Sequence, residues 1–170
     1  DGNVAYITAL LLKKIFPCSK ICVFGKHRQK LAGFTFADAV YEITEIPAET
    51  EIDHAFECVG GTGAAHAVDQ IIDHICPEGT IALLGVTEDP VPLNTRMILE
   101  KGLLVIGNSR SGKKDYEGVL SLYTEHPEIT DYLENIVGAR ISVRKIRDIV
   151  DAFETDIHKM SGKTIMIWDK

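Results

Sequence analysis

The chain has 170 residues, 45% of them hydrophobic, and a formal net charge of −7. This length and apolar content allow one well-buried core and fit a single domain. The acidic balance argues against a general nucleic-acid binder, which needs a basic face to release counterions from phosphates. No apolar run approaches the length of a membrane span, and no secretion signal is recognisable. The sequence therefore predicts a cytoplasmic protein with neither a nucleic acid nor a membrane as partner.

The cysteines and histidines do not form a pattern typical of a metal site. A zinc site needs two ligand pairs at short spacing, and only Cys18 and Cys22 are spaced in that way. Cys22 and Cys58 lie in apolar runs, as buried free thiols do, while Cys76 precedes a proline. The six histidines are scattered over different segments. We predict reduced thiols and no metal ligands in this chain.

Apolar runs and helical periodicities alternate along the first 125 residues. Helices are predicted at 4–15, 26–31, 64–75, 94–101 and 114–123, and strands at 20–24, 39–43, 54–59, 80–84 and 102–106, with a turn at 77–79. The strands are continuous apolar runs, typical of a parallel sheet with helices on both faces. The predicted class is α/β, a Rossmann-like doubly wound parallel sheet.

The pattern changes after residue 125. Residues 129–137 form a mixed segment, 144–153 predict a surface helix, and 164–168 predict a final strand. This tail does not extend the alternation of strand and helix, so we expect it to pack elsewhere.

The first five residues, Asp1 to Ala5, have the form x-G-x-x-A, the end of the dinucleotide fingerprint G-x-G-x-x-G/A. In that motif Gly2 would let the backbone approach a pyrophosphate, and Ala5 would allow close packing of helix on strand. The first strand of such a fold would precede residue 1, so we expect it to be missing from the chain. A simple turn and helix cap is the alternative. A rival fingerprint at 61–63, with Glu88 as a ribose ligand, would leave the earlier elements without a role.

The strand at 20–24 ends in Gly25-Lys26-His27-Arg28, without a carboxylate. An acidic residue here would bind the ribose of NAD, whereas Arg accommodates the 2′-phosphate of NADP. Lys26 and Arg28 therefore favour NADP over NAD, unless they are only solvated residues at a helix start.

Two further basic strings are open to a phosphate interpretation. Arg110, with Lys113 and Lys114 nearby, either begins a solvated helix or helps to bind a phosphate of substrate or cofactor. The string Ser161-Gly162-Lys163-Thr164 is similar to the end of a P-loop, but it lacks the first glycine and precedes a strand. We do not expect it to bind phosphate.

Four runs taken in order resemble the medium-chain, zinc-type alcohol dehydrogenases over nearly the whole chain: DHAFECVG at 53–60, EGTIALLGV at 78–86, GLLVIGNSRSG at 102–112 and GKTIMIW at 162–168. Within that family, the turn at 1–5, the run FGK at 24–26 and the run ECVGG at 57–61 look most similar to the ribitol-5-phosphate dehydrogenases (ribulose-5-phosphate reductases). Those enzymes supply activated ribitol for teichoic-acid or capsule polymers. The resemblance implies the NADP(H)-binding part of an enzyme that reduces ribulose 5-phosphate to ribitol 5-phosphate.

The resemblance also implies roles for individual positions. Gly2, Asn3 and Val4 would line the pyrophosphate, and Gly25, Lys26 and Arg28 would surround the adenosine ribose and its phosphate. The nicotinamide half would lie along a third set, Cys58, Val59, Gly85 and Val86, with Gly107, Asn108 and Ser109 nearby.

In this family the zinc ligands and the proton relay lie mostly in a domain before the first strand, so we expect no catalytic residue here and no activity from the chain alone. The resemblance implies a dinucleotide-binding domain at 1–140, a segment at 141–170 that returns to the catalytic domain, and homodimerisation through the strand at 102–106. Two alternatives stay open. One is a dehydrogenase for another polyol or alcohol, and the other is a non-catalytic module that senses a nucleotide or binds S-adenosylmethionine.

Overall fold

The computed structural model describes residues 1–159 and 161–168. In chain order its helices are α1 (Asn3–Ile15), α2 (Arg28–Leu31), α3 (Ala64–His74), α4 (Thr95–Lys101), α5 (Lys113–Glu125), α6 (Ile129–Leu133) and α7 (Ile146–His158). Its strands are β1 (Cys22–Gly25), β2 (Ala39–Glu42), β3 (Ile52–Glu57), β4 (Ile75–Leu83), β5 (Leu104–Gly107), β6 (Val137–Val143) and β7 (Lys163–Trp168). No helix in these described ranges is both long enough and apolar enough to cross a bilayer.

All strand pairs are parallel, and they form three separate sheets. β1 pairs with β2, β4 lies between β3 and β5, and β6 pairs with β7. The first two sheets reproduce strands 3-2 and 4-5-6 of the dinucleotide-binding order 3-2-1-4-5-6. No strand of the described residues occupies position 1, between β1 and β3. The predicted α/β class with a parallel sheet is confirmed.

The first core joins α1 to the β1–β2 sheet. Tyr6, Ala9 and Leu10 of α1 are buried against Val23 of β1 and Ile129 of α6. The helix ends where expected, since Lys13 and Lys14 occupy its last turn and Pro17 follows. Both lysines also form ion pairs across the fold, Lys13 with Asp38 at 2.8 Å and Lys14 with Glu128 at 2.7 Å. The buried helix predicted at 4–15 is confirmed.

The second core lies between α3 and the β3–β4–β5 sheet. α3 contributes Val68, Ile71 and Ile72 to this core, and the spacing of these residues is the one that predicted the helix. β4 begins at Ile75, five residues before the predicted strand. Ile52 pairs with Ile75 but His54 pairs with Thr80, so residues 76–79 form a bulge in the strand. The predicted turn is therefore an interruption within a longer strand, and Glu78 adopts a positive φ of 64° there.

The last unit consists of β6, α7 and β7. The predicted surface helix and final strand are confirmed, but β6 was not predicted, because the sequence VGARISV lacks a continuous apolar run. One face of α7 packs on the two strands and buries Ala152. The other face exposes a stripe of apolar side chains at helical spacing, formed by Ile146, Val150, Phe153 and Ile157.

Replacing Tyr6 with Phe tests the link between α1 and the segment after α6. The Tyr6 hydroxyl donates to the Tyr132 carbonyl at 3.0 Å and accepts from Asn135 Nδ2 at 3.0 Å. Because Tyr6→Phe leaves both partners without this bond in a partly buried place, we expect the free energy of unfolding to fall by about 1–3 kcal/mol. Urea denaturation measures it. Tyr116→Phe, at a 67% exposed position, is the control, and an equal loss there would contradict the assignment.

Candidate functional site

The predicted site residues lie at the ends of parallel strands. In open α/β sheets, ligands bind outside the carboxyl ends of the strands. β1 ends at Gly25, immediately before Lys26, and β3 ends at Glu57, immediately before Cys58 and Val59. Gly85 and Val86 follow the end of β4, and Gly107 ends β5 just before Asn108 and Ser109. The structure therefore brings Cys58, Val59, Gly85 and Val86 together at one edge.

The carboxylate of Asp1 connects the first turn with the end of β1. Its Oδ2 atom accepts hydrogen bonds from the backbone N–H groups of Lys26 at 2.8 Å and His27 at 2.9 Å, and lies 2.8 Å from His27 Nδ1. A Cβ atom on Gly25 would stand 2.7 Å from Asp1 Cβ, so only glycine allows this approach. The predicted pyrophosphate and ribose segments are thereby adjacent. Sequence reasoning missed Asp1, because one carboxylate before a glycine gives no signal of its partner.

The start of α1 provides backbone donors without a cap. Gly2 is extended, with φ −90° and ψ 178°, and the first turn contains neither a side-chain cap nor an acidic residue. The first N–H groups of a helix have no partner within the helix, and together with the helix dipole they favour an anion. A Cβ atom on Gly2 would meet nothing within 4 Å. The space in front of these donors is therefore open.

A cavity of about 280 Å³ lies beside this turn and is shared with the last unit of the fold. The first turn, α2, the end of α7 and the start of β7 all contribute to its lining: Asp1, Gly2, Asn3, Lys30, Asp156, Lys159, Ser161, Gly162 and Lys163. The expectation that the Ser161–Thr164 string does not bind phosphate stays a prediction, but the structure places three of its residues beside this cavity. The parallel pairing of β6 with β7 brings Ser161, Gly162 and Lys163 to the turn predicted to hold the pyrophosphate.

The three lysines of the cavity differ in their partners. Lys159 pairs with Asp156 and donates to Thr164 Oγ1 at 2.9 Å. Burial lowers the pKa of Lys159, and the nearby Lys163 ammonium lowers it further. Lys30 and Lys163 form no ion pair with any other residue that the structure describes. These two cations are available to a bound anion.

Arg28, one of the two cations after β1, is balanced by acids that the sequence-based prediction did not include. Arg28 pairs through Nε with Glu42, at the end of β2, and its Nη2 lies 3.2 Å from Glu45. The bond to Glu42 and the charges of both carboxylates raise the pKa of Arg28. Arg28 is 74% exposed, so it can exchange partners with little loss of packing. These acids were missed because they follow a different strand, and nothing in the sequence aligns them with Arg28.

Cys58 and the other cysteines show no metal-binding arrangement. Burial raises the pKa of the Cys58 thiol, and the Glu57 charge acts in the same direction, against a smaller opposing effect of Thr8. The thiol is therefore neutral at ordinary pH. All four cysteines are free, and among the described residues no three His, Cys, Asp or Glu side chains converge as metal ligands.

Glu57 is a functional candidate that the sequence reading did not select. Its side chain is 2% exposed and accepts three backbone hydrogen bonds, from Val59 and Gly60 to Oε1 and from Gly85 to Oε2. The available signal was a carboxylate inside the predicted strand at 54–59, three residues before the first glycine of the cluster at 60–63. Such a residue is rarely buried without a specific reason.

The loop after β5 contains the remaining predicted positions. Gly107, Asn108 and Ser109 are exposed, and a Cβ atom on Gly107 would meet nothing within 4 Å. Arg110 adopts a positive φ of 70°, which is uncommon for a residue other than glycine. The structure does not bring these residues to the cavity beside Gly2, and their assignment to the cofactor stays a prediction.

The chain is similar to a known protein family and to individual reductases. Residues 23–125 match the model of a family described as zinc-binding dehydrogenase. The chain is 50% identical over 169 residues to the ribulose-5-phosphate reductase of Bacillus spizizenii, covering 99% of the chain and 50% of that protein. It is 52% identical over 168 residues to ribulose-5-phosphate reductase 2 of Staphylococcus aureus, covering 99% of the chain and 49% of that protein.

A solved structure agrees with these relatives. The crystal structure of S. aureus TarJ in complex with NADPH superposes with a TM-score of 0.97 at 51% identity, covering 99% of this chain and 53% of that one. The chain thus spans about half the length of the curated relatives that it matches. The family model covers more than half of the chain, and the parallel α/β fold agrees with it. The chain belongs to the zinc-binding dehydrogenase family.

Proposed function

We propose that the chain is the NADPH-binding half of a cytoplasmic reductase that converts ribulose 5-phosphate to ribitol 5-phosphate. The observation that carries this proposal is the cavity at the start of α1, where uncapped backbone donors meet Lys30 and Lys163, two cations without an ion pair among the described residues. The relatives support the reaction, since they are ribulose-5-phosphate reductases, and TarJ supports the cofactor, since it binds NADPH.

NADPH fits the residues of this chain. Open space at Gly2 and the N–H groups of the first turn match a pyrophosphate, and Lys30 and Lys163 would add charge contacts. NADPH, when bound, supplies the hydride, and the protein binds and orients it. The residues proposed to hold it are Gly2, Asn3 and Val4 at the pyrophosphate, Gly25, Lys26 and Arg28 at the adenosine ribose, and Cys58, Val59, Gly85, Val86, Gly107, Asn108 and Ser109 towards the nicotinamide.

Zinc does not fit this chain, because its described residues provide no ligand set. We infer that the zinc ligands expected for the family lie in the half of the relatives that the chain does not match.

Two exposed apolar surfaces support contacts with further protein. The apolar stripe of α7 supports packing of segment 141–170 on the catalytic domain, as an unpaired amphipathic face needs a partner. In the structure this segment belongs to the unit of β6, α7 and β7, which begins at Val137. The outer edge of β5, with Leu104 and Ile106 exposed, supports a homodimer formed through this strand.

The reaction itself is tested on the full-length enzyme that carries this chain. We expect ribulose 5-phosphate to be reduced with oxidation of NADPH, and unphosphorylated ribulose to be a much poorer substrate. NADPH absorbance follows the rate, and ribitol 5-phosphate is identified by mass spectrometry. Equal rates with unphosphorylated polyol ketones would favour a dehydrogenase for another polyol. NADPH binding without turnover of any ketone, or tight binding of S-adenosylmethionine, would favour a non-catalytic module.

The contribution of the last unit to the cofactor site is tested by Lys163→Ala. Because Lys163 has no other ion partner among the described residues, its loss should weaken NADPH binding by about tenfold, as for one charged contact. Isothermal titration calorimetry gives the dissociation constant. Lys20→Ala removes the same charge at an exposed position before β1, at the opposite edge of the sheet, and should leave binding unchanged. The same weakening in both variants would indicate a general charge effect.

Cofactor preference is tested with NADPH and NADH on the same full-length enzyme. We expect tighter binding of NADPH, and a smaller preference in Lys26→Ala and Arg28→Ala. Glu42→Gln should raise NADPH affinity several-fold, because Arg28 then loses its Glu42 ion pair and keeps only Glu45 as an acidic competitor for the 2′-phosphate. Calorimetry measures each constant, and Glu51→Gln, at an exposed position before β3, is the control. Tighter binding of NADH by the unmodified enzyme would refute the roles of Lys26 and Arg28.

A further inference from the structure

Glu57 is the one charged side chain among the described residues that is buried. A buried carboxylate is costly unless its charge is compensated. No cation forms an ion pair with Glu57 in the described part of the chain. Its compensation comes from three backbone N–H groups, those of Val59 at 2.6 Å, Gly60 at 2.9 Å and Gly85 at 3.1 Å. Hydrogen bonds of this kind, with a charged acceptor, are among the stronger ones.

These donors belong to two different loops. Val59 and Gly60 follow β3, whereas Gly85 follows β4. The backbone carbonyl of Glu57 adds to the same connection, since it accepts from the N–H groups of Leu84 at 2.9 Å and Gly85 at 3.0 Å. One residue therefore connects both loops through its main chain and its side chain.

The glycines around Glu57 show how close the two loops are. A Cβ atom on Gly85 would lie 2.4 Å from the Gly60 nitrogen and 2.5 Å from Glu57 Oε2. A Cβ atom on Gly60 would lie 2.7 Å from the Val86 carbonyl oxygen, and Gly60 has a positive φ of 64°. The N–H of Gly61 donates to the same Val86 oxygen at 2.8 Å. Any residue larger than glycine at position 60 or 85 would force the two loops apart.

The hydrogen bonds of Glu57 leave two apolar side chains facing solvent at the carboxyl edge of the sheet. Val59 is 60% exposed and Val86 is 86% exposed, although the backbones beside them are tightly held. Two exposed apolar side chains on loops held by these hydrogen bonds are suited to contact a flat ring, because the loops lose little freedom when the ring binds.

We propose that Glu57 is a positioning residue that sets the height and orientation of the dihydronicotinamide ring through the loops at 58–61 and 84–86. The carboxylate does not contact the cofactor. It fixes Val59 and Val86, and these contact the ring. The inference rests on the proposed function, because it requires that the nicotinamide half of NADPH lies against these loops.

Glu57→Gln is the variant that tests this role in the full-length enzyme. Glutamine provides one acceptor oxygen and one NH₂ group, so at least one of the three N–H donors faces another donor. The loops should shift while the adenosine end of the site, held by Asp1 and Gly25, stays in place. Because the shifted loops would misplace the dihydronicotinamide ring relative to the substrate, kcat should fall by about tenfold to a hundredfold. The KM for ribulose 5-phosphate should change little.

A second readout separates positioning from a general structural effect. Binding of the 2′-phosphorylated ADP fragment of NADPH, which lacks the nicotinamide, should stay within about twofold of the unmodified enzyme. The primary isotope effect with deuterated NADPH should increase, because hydride transfer becomes slower relative to the other steps. Glu51→Gln serves as the matched control at an exposed position and should match the unmodified enzyme in every readout.

The outcomes are distinct. An unmodified enzyme that does not bind NADPH overturns the proposed function. An unmodified enzyme that binds and turns over, together with an unchanged kcat and isotope effect in Glu57→Gln, overturns the positioning role alone. Equal loss of NADPH and of the ADP fragment in the folded variant also overturns it, since the effect is then general. If Glu57→Gln does not fold, Glu57→Asp takes its place, because aspartate keeps the charge on a side chain one methylene shorter. It should likewise lower kcat and raise the isotope effect while leaving binding of the ADP fragment unchanged.

Discussion

Backbone N–H groups that leave the sheet at the strand ends need acceptors, and two carboxylates meet this need. Asp1 accepts from the two residues after β1, and Glu57 accepts from the residues after β3 and β4. Each carboxylate joins two segments that are distant in sequence. The proposed cofactor site depends on these bonds, because they hold the turns at which a dinucleotide fold receives its ligand.

The charges of the site fall into two classes. At the end of β1, Arg28 is already neutralised by Glu42 and Glu45, so a phosphate there has to compete with carboxylates. At the start of α1, Lys30 and Lys163 have no acidic partner among the described residues and face an uncapped helix. We therefore propose the second place as the one that attracts an anion more strongly, although the net charge of the chain is −7. Local arrangement, and not the average charge, determines where an anion is attracted.

The sequence predicted those features that depend on neighbours along the chain. Helix α3 followed from the spacing of Val68, Ile71 and Ile72, and the parallel sheet followed from continuous apolar runs. β6 was not predicted, because its residues are alternately exposed and half-buried on a small sheet. The early start of β4 was also missed, since a strand interrupted at 76–79 by a proline and a glycine looks like a turn. The roles assigned to Gly2, Lys26 and Val59 stay predictions until the cofactor experiments are done.

The amino-acid sequence by itself determined the fold class, the alternation of elements and the places where glycines end strands, because periodicity and turn chemistry are local properties. It also determined the family, through four ordered runs that no single motif could replace. Only the tertiary structure decided which charges meet. Lys163 reaches the turn at Gly2 because β7 pairs with β6, Arg28 meets Glu42 because β1 pairs with β2, and Glu57 reaches Gly85 because β3 pairs with β4. Strand pairing brings together residues that are far apart in the chain, and a single sequence contains no local pattern that predicts which of them will meet.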